Sequence, residues 1–451
     1  MFQKQIGLRR ADIVNTKMNA TDARPLRLAI AGLGTVGMGL IKLLRTNQRL
    51  VTARAGRSID VVAISARDRN LDRGLDLSGL TWFDDPVAMA LDANIDVFVE
   101  LIGGSEGAAK DACEAALAAG RDVVTANKAL IAHHGASLAE LAEKNGRVVA
   151  YEAAVAGGIP IIKSMREGLS GNAFSRVYGI LNGTCNYILS TMRKTSRNFD
   201  DVLSEAQSLG YAEADPSFDI DGVDTAHKLA ILASLAFGSP VNFDAVHIEG
   251  IRHISLSDIH FAEELGYRIK LLGIASRTDH GIEQRVHPCM VPVDAPIAHV
   301  EGAFNAVVAH GDFVDTVMQV GPGAGAGPTA SAVVADIIDI GQGRRTPTFG
   351  VPFGALQVKS SADMGKHHGA YYVRLMVIDK PGVFADVAAA LRDNEISMEA
   401  VLQRAHNPGE TVPVVLTTHE ANEAAMRRTL DAIGALDAVP EPPRLIRIGP
   451  F

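Results

Sequence analysis

Cysteine, aromatic side chains and long apolar runs are scarce in this chain, and each scarcity argues against a class of protein. The three cysteines, Cys113, Cys185 and Cys289, are far apart and lack C-x-x-C spacing, which argues against a disulfide framework or structural zinc. No uninterrupted apolar run of about 18 residues occurs, so no membrane-spanning helix is expected. Aromatic residues make up only 5% of the chain while glycine occurs 43 times, which suits a turn-rich α/β enzyme better than an all-β binding module.

The charge balance and the first residues of the chain limit the expected binding partners and the expected location. Lysine and arginine total 43 against 52 acidic residues, giving a net charge of -9, so we expect no nucleic-acid partner. Residues 1–25 lack a continuous apolar core, which excludes a secretory signal and favours a disordered leader. Alternatively, the native chain starts at Met18. Unpaired cysteines without a secretory signal predict a cytoplasmic protein.

Short apolar strands alternate with helical stretches in the first part of the chain. Strands are predicted at residues 26–31, 60–65, 95–101, 122–125 and 148–151. Helices are predicted between them at residues 38–44, 110–119 and 136–145. Because alternating strands and helices form βαβ units, this region predicts a parallel sheet.

A glycine motif follows the first of these strands and opens a helix. The motif is Gly32-x-Gly34-x-x-Gly37, whose glycines let the backbone approach a pyrophosphate at a helix N-terminus. It therefore predicts dinucleotide binding rather than a tight structural turn. No acidic residue ends the second strand, and Arg67 and Arg69 follow it, which favours the 2′-phosphate of NADP. NAD stays possible, because Asp68 could bind the ribose.

Simple alternation is lost beyond residue 152. A strand at 176–181 and helices at 161–168 and 223–237 are predicted, and residues 241–298 mix both types. The stretch 321–327 predicts a loop before an apolar helix, 329–340, that could return to the first domain. After a linker, the strand and helix order βαββαβ from residue 371 predicts a ferredoxin-like module. A chain of 451 residues has room for about three domains.

The densest polar stretch runs from residue 209 to residue 229. It contains Asp224 and Lys228, which are four residues apart on a predicted helix and therefore share a face. A carboxylate and an ammonium so placed can hold each other charged and orient a proton transfer. An ordinary surface ion pair would have the same spacing.

Several motifs together resemble the homoserine dehydrogenase family. Besides the glycine motif and the 209–229 stretch, they are residues 125–128 (TANK), 152–160 (EAAVAGGIP) and 179–188 (GILNGTCNYI). The resemblance extends from about residue 26 to the end, with the motifs in the same order and spacing. It implies an α/β protein with an N-terminal Rossmann-type dinucleotide-binding domain, a central α+β catalytic and dimerisation domain, and a C-terminal ferredoxin-like ACT domain.

The resemblance also implies domain bounds. These are 26–155 for the NAD(P)-binding domain, completed by about 328–355, then 156–327 for the substrate-binding domain, 356–370 for a linker and 371–451 for the ACT domain. The chain is expected to form a homodimer or homotetramer. A fused aspartate kinase is rejected, because the chain has no extension of kinase size.

The activity implied is the NAD(P)-dependent interconversion of L-aspartate 4-semialdehyde and L-homoserine, in threonine, methionine and isoleucine biosynthesis. Lys228 and Asp224 would lie at the reacting carbonyl, and Lys128 is the other candidate acid–base lysine. Which lysine delivers the proton stays open. The residues implied in substrate binding are Glu213, Asp219, Lys228, Gly183 and Thr184. A non-catalytic NADP- and amino-acid-binding sensor is the alternative, which would not need Lys128, Glu213, Asp224 and Lys228 together.

Further binding sites are expected from the glycine motif and the family resemblance together. The expected cofactor contacts are Gly32, Gly34, Thr35, Val36, Gly37, Arg67, Gly103, Lys128 and Gly323. The stretch 321–327 resembles a second glycine loop near the nicotinamide, with a structural linker as the alternative. Glu152, Val155, Gly157 and Ile159 resemble a loop that holds a monovalent cation such as Na⁺, mostly through backbone carbonyls. No transition metal is expected. Cys185 is interpreted as a buried inert thiol rather than a redox-sensitive one.

Residues 378–387 and 394–398 resemble the start of an ACT domain. Such modules bind amino acids at an interface, near a turn that corresponds here to Asp379–Gly382, so Asp379 and Gly382 are the expected effector contacts. The effector implied by a homoserine-forming enzyme is L-threonine. A dimerisation module without a ligand is the alternative.

Overall fold

The computed structural model describes residues 24–404 and 409–449 of the chain. Almost all of the predicted leader and the alternative start at Met18 lie outside the described residues. The sequence Asn407-Pro408-Gly409 also predicts a turn, most of which lies outside them. Within the described ranges, no helix is long and apolar enough to cross a membrane.

The N-terminal domain is a parallel sheet between helices, as predicted. Its elements are β1 (Leu26–Ala31), α1 (Thr35–Thr46), α2 (Gln48–Ala55), β2 (Ile59–Ser65), β3 (Thr81–Phe83), α3 (Pro86–Ala90), β4 (Val97–Glu100), α4 (Ala108–Ala118), β5 (Asp122–Thr125), α5 (Lys128–Lys144) and β6 (Val149–Ala150). The strand order β3-β2-β1-β4-β5-β6 is that of a doubly wound dinucleotide-binding fold. The reversal of direction beside β1 leaves a crevice at the carboxyl ends of β1 and β4, where ligands of such folds bind.

The central domain combines a mostly antiparallel sheet with helices on one face. Its elements are α6 (Ile161–Lys163), β7 (Phe174–Ile180), α7 (Gly183–Thr195), α8 (Phe199–Ser208), α9 (Ser217–Ile220), α10 (Val223–Phe237), β8 (Val246–Ile248), α11 (Leu256–Glu264), β9 (Tyr267–Thr278), β10 (Gly281–Pro292), β11 (Asn305–Gly311), β12 (Asp315–Gly321) and α12 (Ala326–Gly341). Helix α10 is buried along almost its whole length and packs on β7 and β9. Helix α12 packs on α1 and α2, so the chain does return to the first domain as expected.

The C-terminal domain has the predicted ferredoxin-like order with one short added strand. Its elements are β13 (His368–Ile378), α13 (Val383–Asp393), β14 (Met398–Gln403), β15 (Thr411–Thr418), β16 (Ala421–Asn422), α14 (Glu423–Gly434) and β17 (Arg444–Ile448). Apolar residues of β13, β15 and both helices form a core of their own.

One sheet continues through the central and C-terminal domains. Its strand order is β12-β11-β7-β9-β10-β17-β13-β15-β14, and β17 pairs in parallel with β10 at Cys289 and Arg447. The residues expected to form a linker lie against the central domain, where the N–H of Ile282 donates to the carbonyl of Ser360 at 2.8 Å. The C-terminal domain is therefore fixed to the central one by backbone hydrogen bonds.

Buried charges reinforce this junction. The carboxylate of Asp258 accepts hydrogen bonds from Tyr372 at 3.0 Å and from the guanidinium of Arg374 at 2.7 Å. Arg447 on β17 pairs with Glu249 of the central domain at 2.7 Å and with Glu423 of its own domain at 2.6 Å. These side chains connect β13 to α11 and β17 to the segment after β8.

Two of the predicted helices differ from their predicted bounds by more than three residues or in helix type. Helix α5 begins at Lys128 rather than near residue 136, because Asn127 caps it by accepting the N–H of Leu130 at 3.0 Å. The stretch predicted as one helix at 161–168 is a short α6 followed by a π-helical turn at 164–168.

Candidate active site

The glycine motif lies between β1 and α1, at the crevice of the parallel sheet. Gly32 has a φ of +99°, and a Cβ there would lie 2.2 Å from the carbonyl oxygen of Leu101. A Cβ on Gly37 would lie 2.1 Å from the carbonyl oxygen of Gly32. Helix α1 begins at Thr35 without a side-chain cap, so its first N–H groups are available to an anion.

A cavity of about 520 Å³ opens beside this motif. The residues that line it are Gly32, Leu33, Gly34, Ser65, Ala66, Arg67, Asp68, Leu71, Arg73, Asp84, Pro86, Leu101, Ile102 and Ala108. Its volume lies in the range of cofactor sites. The free N-terminus of α1, the glycines that have no side chain to block it, and the cavity together fit a dinucleotide.

Arg67 and Arg73 supply the positive charge in this cavity. Arg73 donates to the backbone carbonyls of Leu33 and Asp68, which holds the loop after β2 against the glycine motif. Sequence reasoning missed Arg73, because its approach depends on the path of the whole loop. Arg69 and Arg73 both lie over the Trp82 ring, with their Cζ atoms 5.9 Å and 5.7 Å from the ring centroid, but only Arg73 lines the cavity.

The other expected cofactor residues lie around the same edge of the sheet. Thr35 and Val36 are the first two residues of α1, and Gly103 follows β4 with its N–H donating to Glu100 at 2.9 Å. Glu100 also accepts the hydroxyl of Thr125 at 2.5 Å, which joins the ends of β4 and β5. Gly323 forms an isolated bridge with Gly157, just before α12.

Asp224 is the centre of a buried ionic cluster on α10. Its carboxylate lies 2.8 Å from the ammonium of Lys228 and 2.9 Å from that of Lys128, and it accepts the amide N–H of Asn182 at 2.8 Å. Burial alone would raise the pKa of Asp224, but the two ammonium groups outweigh it and hold the pKa well below its ordinary value. An ordinary surface ion pair is therefore wrong for Asp224 and Lys228, since both are buried.

The two lysines have different surroundings. Lys228 also donates to the carbonyl of Leu181 at 2.6 Å, which fixes its ammonium at the end of β7. Lys128 is one-third exposed and lies over the Phe218 ring at 5.4 Å. Burial opposes the charge on Lys128, yet Asp224, Asp219 and Glu213 together raise its pKa above the ordinary value. Lys128 therefore faces the more open side of the cluster.

The residues expected to bind substrate surround this cluster. Asp219 accepts the second N–H of the Asn182 amide at 2.8 Å, and burial with the nearby charge of Asp224 raises its pKa. Glu213 is exposed on the loop before α9. Gly183 and Thr184 begin α7, where the Thr184 hydroxyl donates to the carbonyl of Tyr211 at 2.6 Å. The resemblance pointed to the backbone around Asn182, but not to its side-chain amide, which donates to the carboxylates of both Asp219 and Asp224.

The Cys185 thiol lies behind the cluster and donates to the carbonyl of Asp219 at 3.3 Å. Burial raises its pKa well above the ordinary value, so the thiol stays protonated. This environment agrees with an inert thiol. All three cysteines are free and buried.

The expected cation loop lies beside the N-terminus of α6. The Glu152 carboxylate accepts the N–H groups of Ile162 at 3.0 Å and Lys163 at 2.8 Å. Burial and the nearby Asp336 raise the pKa of Glu152 to about 7. Val155, Gly157 and Ile159 follow on the same buried loop, so a cation there would rely on their carbonyl oxygens. Across the described residues, no cluster of three or more His, Cys, Asp or Glu could hold a metal ion.

A histidine pair, which the sequence did not suggest, links α5 to α10. The Nε2 atoms of His133 and His227 are 3.1 Å apart, and Phe243 stacks on His227. Burial and the neighbouring His133 lower the pKa of His227 to about 4, so this imidazole is neutral near pH 7. The pair joins the helix that begins with Lys128 to the helix that carries Lys228.

The expected effector residues lie at one corner of the C-terminal domain. Asp379 contributes to a shallow cavity of about 60 Å³ with Lys380, Phe384 and Gln403, among others. Gly382 precedes α13 with a φ of +95°. The cavity within one chain is small.

Comparison with known proteins gives consistent matches. Residues 160–338 match a family model described as homoserine dehydrogenase, residues 32–152 one described as homoserine dehydrogenase, NAD binding domain, and residues 371–436 an ACT domain. A homoserine dehydrogenase of Pseudomonas aeruginosa is 46% identical over 434 residues, which are 94% of this chain and 99% of the relative. One of Neisseria gonorrhoeae is 44% identical over the same shares of each chain.

Solved structures agree. The crystal structure of a homoserine dehydrogenase from Thiobacillus denitrificans is 45% identical, with a TM-score of 0.90 over 94% of this chain and 98% of that one. A hyperthermophilic archaeal homoserine dehydrogenase in complex with NADPH is 28% identical, with a TM-score of 0.61 over 70% of this chain and 97% of that one.

Proposed function

The chain belongs to the homoserine dehydrogenase family, and we propose from its site how it interconverts L-aspartate 4-semialdehyde and L-homoserine. The enzyme is an NAD(P)-dependent oxidoreductase of amino-acid biosynthesis. The observation that carries the assignment of roles is the buried Asp224 carboxylate held between Lys128 and Lys228. A bound nicotinamide supplies the hydride.

The two lysines are assigned to the aldehyde oxygen of the substrate. Negative charge develops on this oxygen during reduction, and a nearby ammonium stabilises it and donates a proton. Asp224 pairs with both ammonium groups, which fixes their positions, and its charge raises the pKa of Lys128. Lys128 is the better-placed proton donor, because it is the more exposed of the two and makes no backbone hydrogen bond comparable to that of Lys228 with Leu181.

Acidic residues around the cluster are assigned to the amino group of the substrate. Glu213 and Asp219 both lie close enough to Lys128 for their charges to raise its pKa. A substrate ammonium there would be held by opposite charges on one side, while its aldehyde faces the lysines. Gly183 and Thr184 lie at the N-terminus of α7, which favours an anionic carboxylate nearby.

We assign a preference for NADP to the arginines of the cofactor cavity. Arg67 is predicted to bind the 2′-phosphate, and Arg73 supports the same loop. Arg67→Ala should raise KM for NADPH far more than KM for NADH, since a charge-assisted contact is worth about 1.5–3 kcal/mol. Arg69→Ala is the matched control, as Arg69 lies outside the cavity lining. Parallel loss with both cofactors would mean that Arg67 only supports the loop.

A monovalent cation such as Na⁺ is proposed to bind the loop of Glu152, Val155, Gly157 and Ile159. Gly157 bridges Gly323 just before α12, so a cation on this loop would fix the junction between cofactor and substrate domains. The proposal is tested by activity in Na⁺ against a large organic cation at equal ionic strength.

Regulation by L-threonine is proposed to act through Asp379 and Gly382. Because the cavity within one chain is small, an amino acid would need a second copy of the chain to complete its site. This supports a homodimer or homotetramer. Three free cysteines favour the cytoplasm as the place of action.

Initial rates with aspartate semialdehyde, NADPH or NADH, and added threonine test the whole assignment. Cofactor-dependent reduction to homoserine is the expected result. Binding of NADPH without turnover, in a preparation free of inhibitors, would favour the alternative of a non-catalytic sensor.

A further inference from the structure

A second cavity lies at the opposite edge of the N-terminal sheet, where β1, β4 and β5 begin. Its volume is about 310 Å³. The charged residues that line it are Arg24, Arg57, Arg121, Arg147, Arg345, Asp96 and Asp122. Five guanidinium groups against two carboxylates make this cavity positive, although the chain as a whole carries a net charge of -9.

Four of these arginines are placed by the same local structure, which is the C-terminal end of a helix. Helices α2, α4, α5 and α12 end at this edge, and each end is followed by a glycine with positive φ. An arginine of the cavity comes directly after the glycine in three cases, and Arg345 comes two residues after Gly343. The glycines are Gly56, Gly120, Gly146 and Gly343, with φ of 73°, 75°, 62° and 79°. A left-handed residue ends a helix, and arginine suits the negative end of the helix dipole. The dipole explains an arginine at each end, but it does not require that all four line one cavity.

The carboxylates satisfy only part of this positive charge. Arg24 pairs with Asp96 at 3.1 Å, and Arg345 pairs with Asp122 at 3.1 Å. Within the described part of the chain, no carboxylate lies at ion-pair distance from Arg57, Arg121 or Arg147. The Nε atoms of Arg121 and Arg147 are moreover buried without a hydrogen-bond partner. Buried donors are rarely left unpaired in folded proteins, so these atoms indicate a missing acceptor.

We propose that this cavity binds a small anion carrying at least two phosphate groups. Guanidinium groups bind phosphate oxygens through paired, charge-assisted hydrogen bonds. Three arginines without a carboxylate partner balance the charge of a diphosphate, and their terminal N–H groups can donate to its oxygens. The cavity and the cofactor cavity lie at opposite ends of the strands, so both can be occupied together.

The test is calorimetric titration of the full chain with pyrophosphate. The protein is first saturated with NADP⁺, so that the cofactor cavity is filled, and ionic strength is held constant with NaCl. Inorganic phosphate and citrate are titrated in parallel. We expect one saturable pyrophosphate site per chain, weaker binding of phosphate, and weaker binding of citrate. Absence of saturable pyrophosphate binding, or tighter binding of citrate, would overturn the proposal.

Matched variants locate the site. Arg121→Gln with Arg147→Gln should weaken pyrophosphate binding by about tenfold or more. Arg54→Gln, an exposed arginine in the last turn of α2, should leave it unchanged. If the double variant does not fold, as judged by thermal unfolding, Arg57→Gln at the same cavity replaces it. Equal affinity in wild type and the cavity variants would place the anion elsewhere.

Discussion

Asp224 lies between two ammonium groups, and each lysine can be tested separately. Lys228→Ala should lower kcat by about 10²–10³-fold without unfolding the protein, because the loss of one group that stabilises a developing oxyanion costs that much. Lys128→Ala should lower kcat by about 10²–10⁴-fold, as expected for the loss of a positioned proton donor. Lys144→Ala, at the exposed end of α5, is the control. A Lys228 variant with more than roughly a tenth of wild-type kcat would remove Lys228 from the catalytic group.

The same carboxylate should control the pH dependence of the reaction. Burial alone lowers the pKa of Lys128, and Asp224 is the main group that raises it again. In Asp224→Asn the burial stays and the charge is lost, so the pKa of Lys128 falls and its ammonium deprotonates at lower pH. The basic limb of kcat/KM against pH should therefore move to lower pH.

Asp221→Asn is the control for this pH profile. Asp221 lies three residues before Asp224, but its carboxylate is exposed and pairs with Arg252. A basic limb that stays in place in Asp224→Asn, or that moves equally in Asp221→Asn, would contradict the assignment.

At the scale of elements, the loop that carries Asp219 rests on the segment after β8. The N–H of Ile251 donates to the carbonyl of Ile220 at 2.8 Å. A Cβ on Gly250 would lie 2.2 Å from the same oxygen. Gly250→Ala should displace the loop, and kcat/KM should fall by about 10²-fold, as expected for a misplacement of roughly 1 Å.

Gly354→Ala is the matched control, since a Cβ there meets no atom within 4 Å. Circular dichroism and steady-state kinetics on both variants separate a local displacement from unfolding. Unchanged kcat/KM in a folded Gly250→Ala protein would show that the loop tolerates the shift.

Elements with a strong local signal could be predicted from the sequence. Strand β1 and helix α10 have the predicted bounds, because an apolar run and a long apolar helix with a following glycine are both local patterns. The hairpin of β9 and β10 was not delimited. Strand β10 buries Glu283, Arg285 and His287, and its polar residues obscure the apolar pattern that a buried strand normally shows.

The residues of the site also fall into those that local sequence could pair and those that it could not. The spacing of Asp224 and Lys228 on one helix was sufficient to pair them, since i and i+4 share a face. Their contacts with Lys128 on α5 and Asn182 after β7 join residues that are distant in sequence. The motifs pointed to these residues through the resemblance, but nothing local indicated that one carboxylate holds both lysines.

At the scale of the whole molecule, the continuous sheet changes how regulation is best tested. A chain that ends near residue 370 would lose β17, the partner of β10, and most of β13. Asp379→Ala removes one proposed effector contact without cutting the sheet. It should keep basal kcat and lose inhibition by threonine, because an effector acts only through its different affinity for two states.

Asp393→Ala, an exposed residue at the end of α13, is the control for this experiment. Inhibition at the same threonine concentration in Asp379→Ala would place the effector site elsewhere. Loss of basal activity would indicate a structural role for Asp379.

The pairing of β17 with β10 also sets an order for folding. Strand β10 ends at Pro292 and β17 begins only at Arg444, so the sheet cannot be completed until almost all of the described chain is available. Contacts between such distant residues form slowly, and an unpaired strand can associate with other chains in the meantime. Strand β8 already covers residues 284–286 of β10. During synthesis, the part of β10 around Cys289 therefore stays unpaired on this edge while the C-terminal domain is made, and refolding from denaturant should be slow and sensitive to protein concentration.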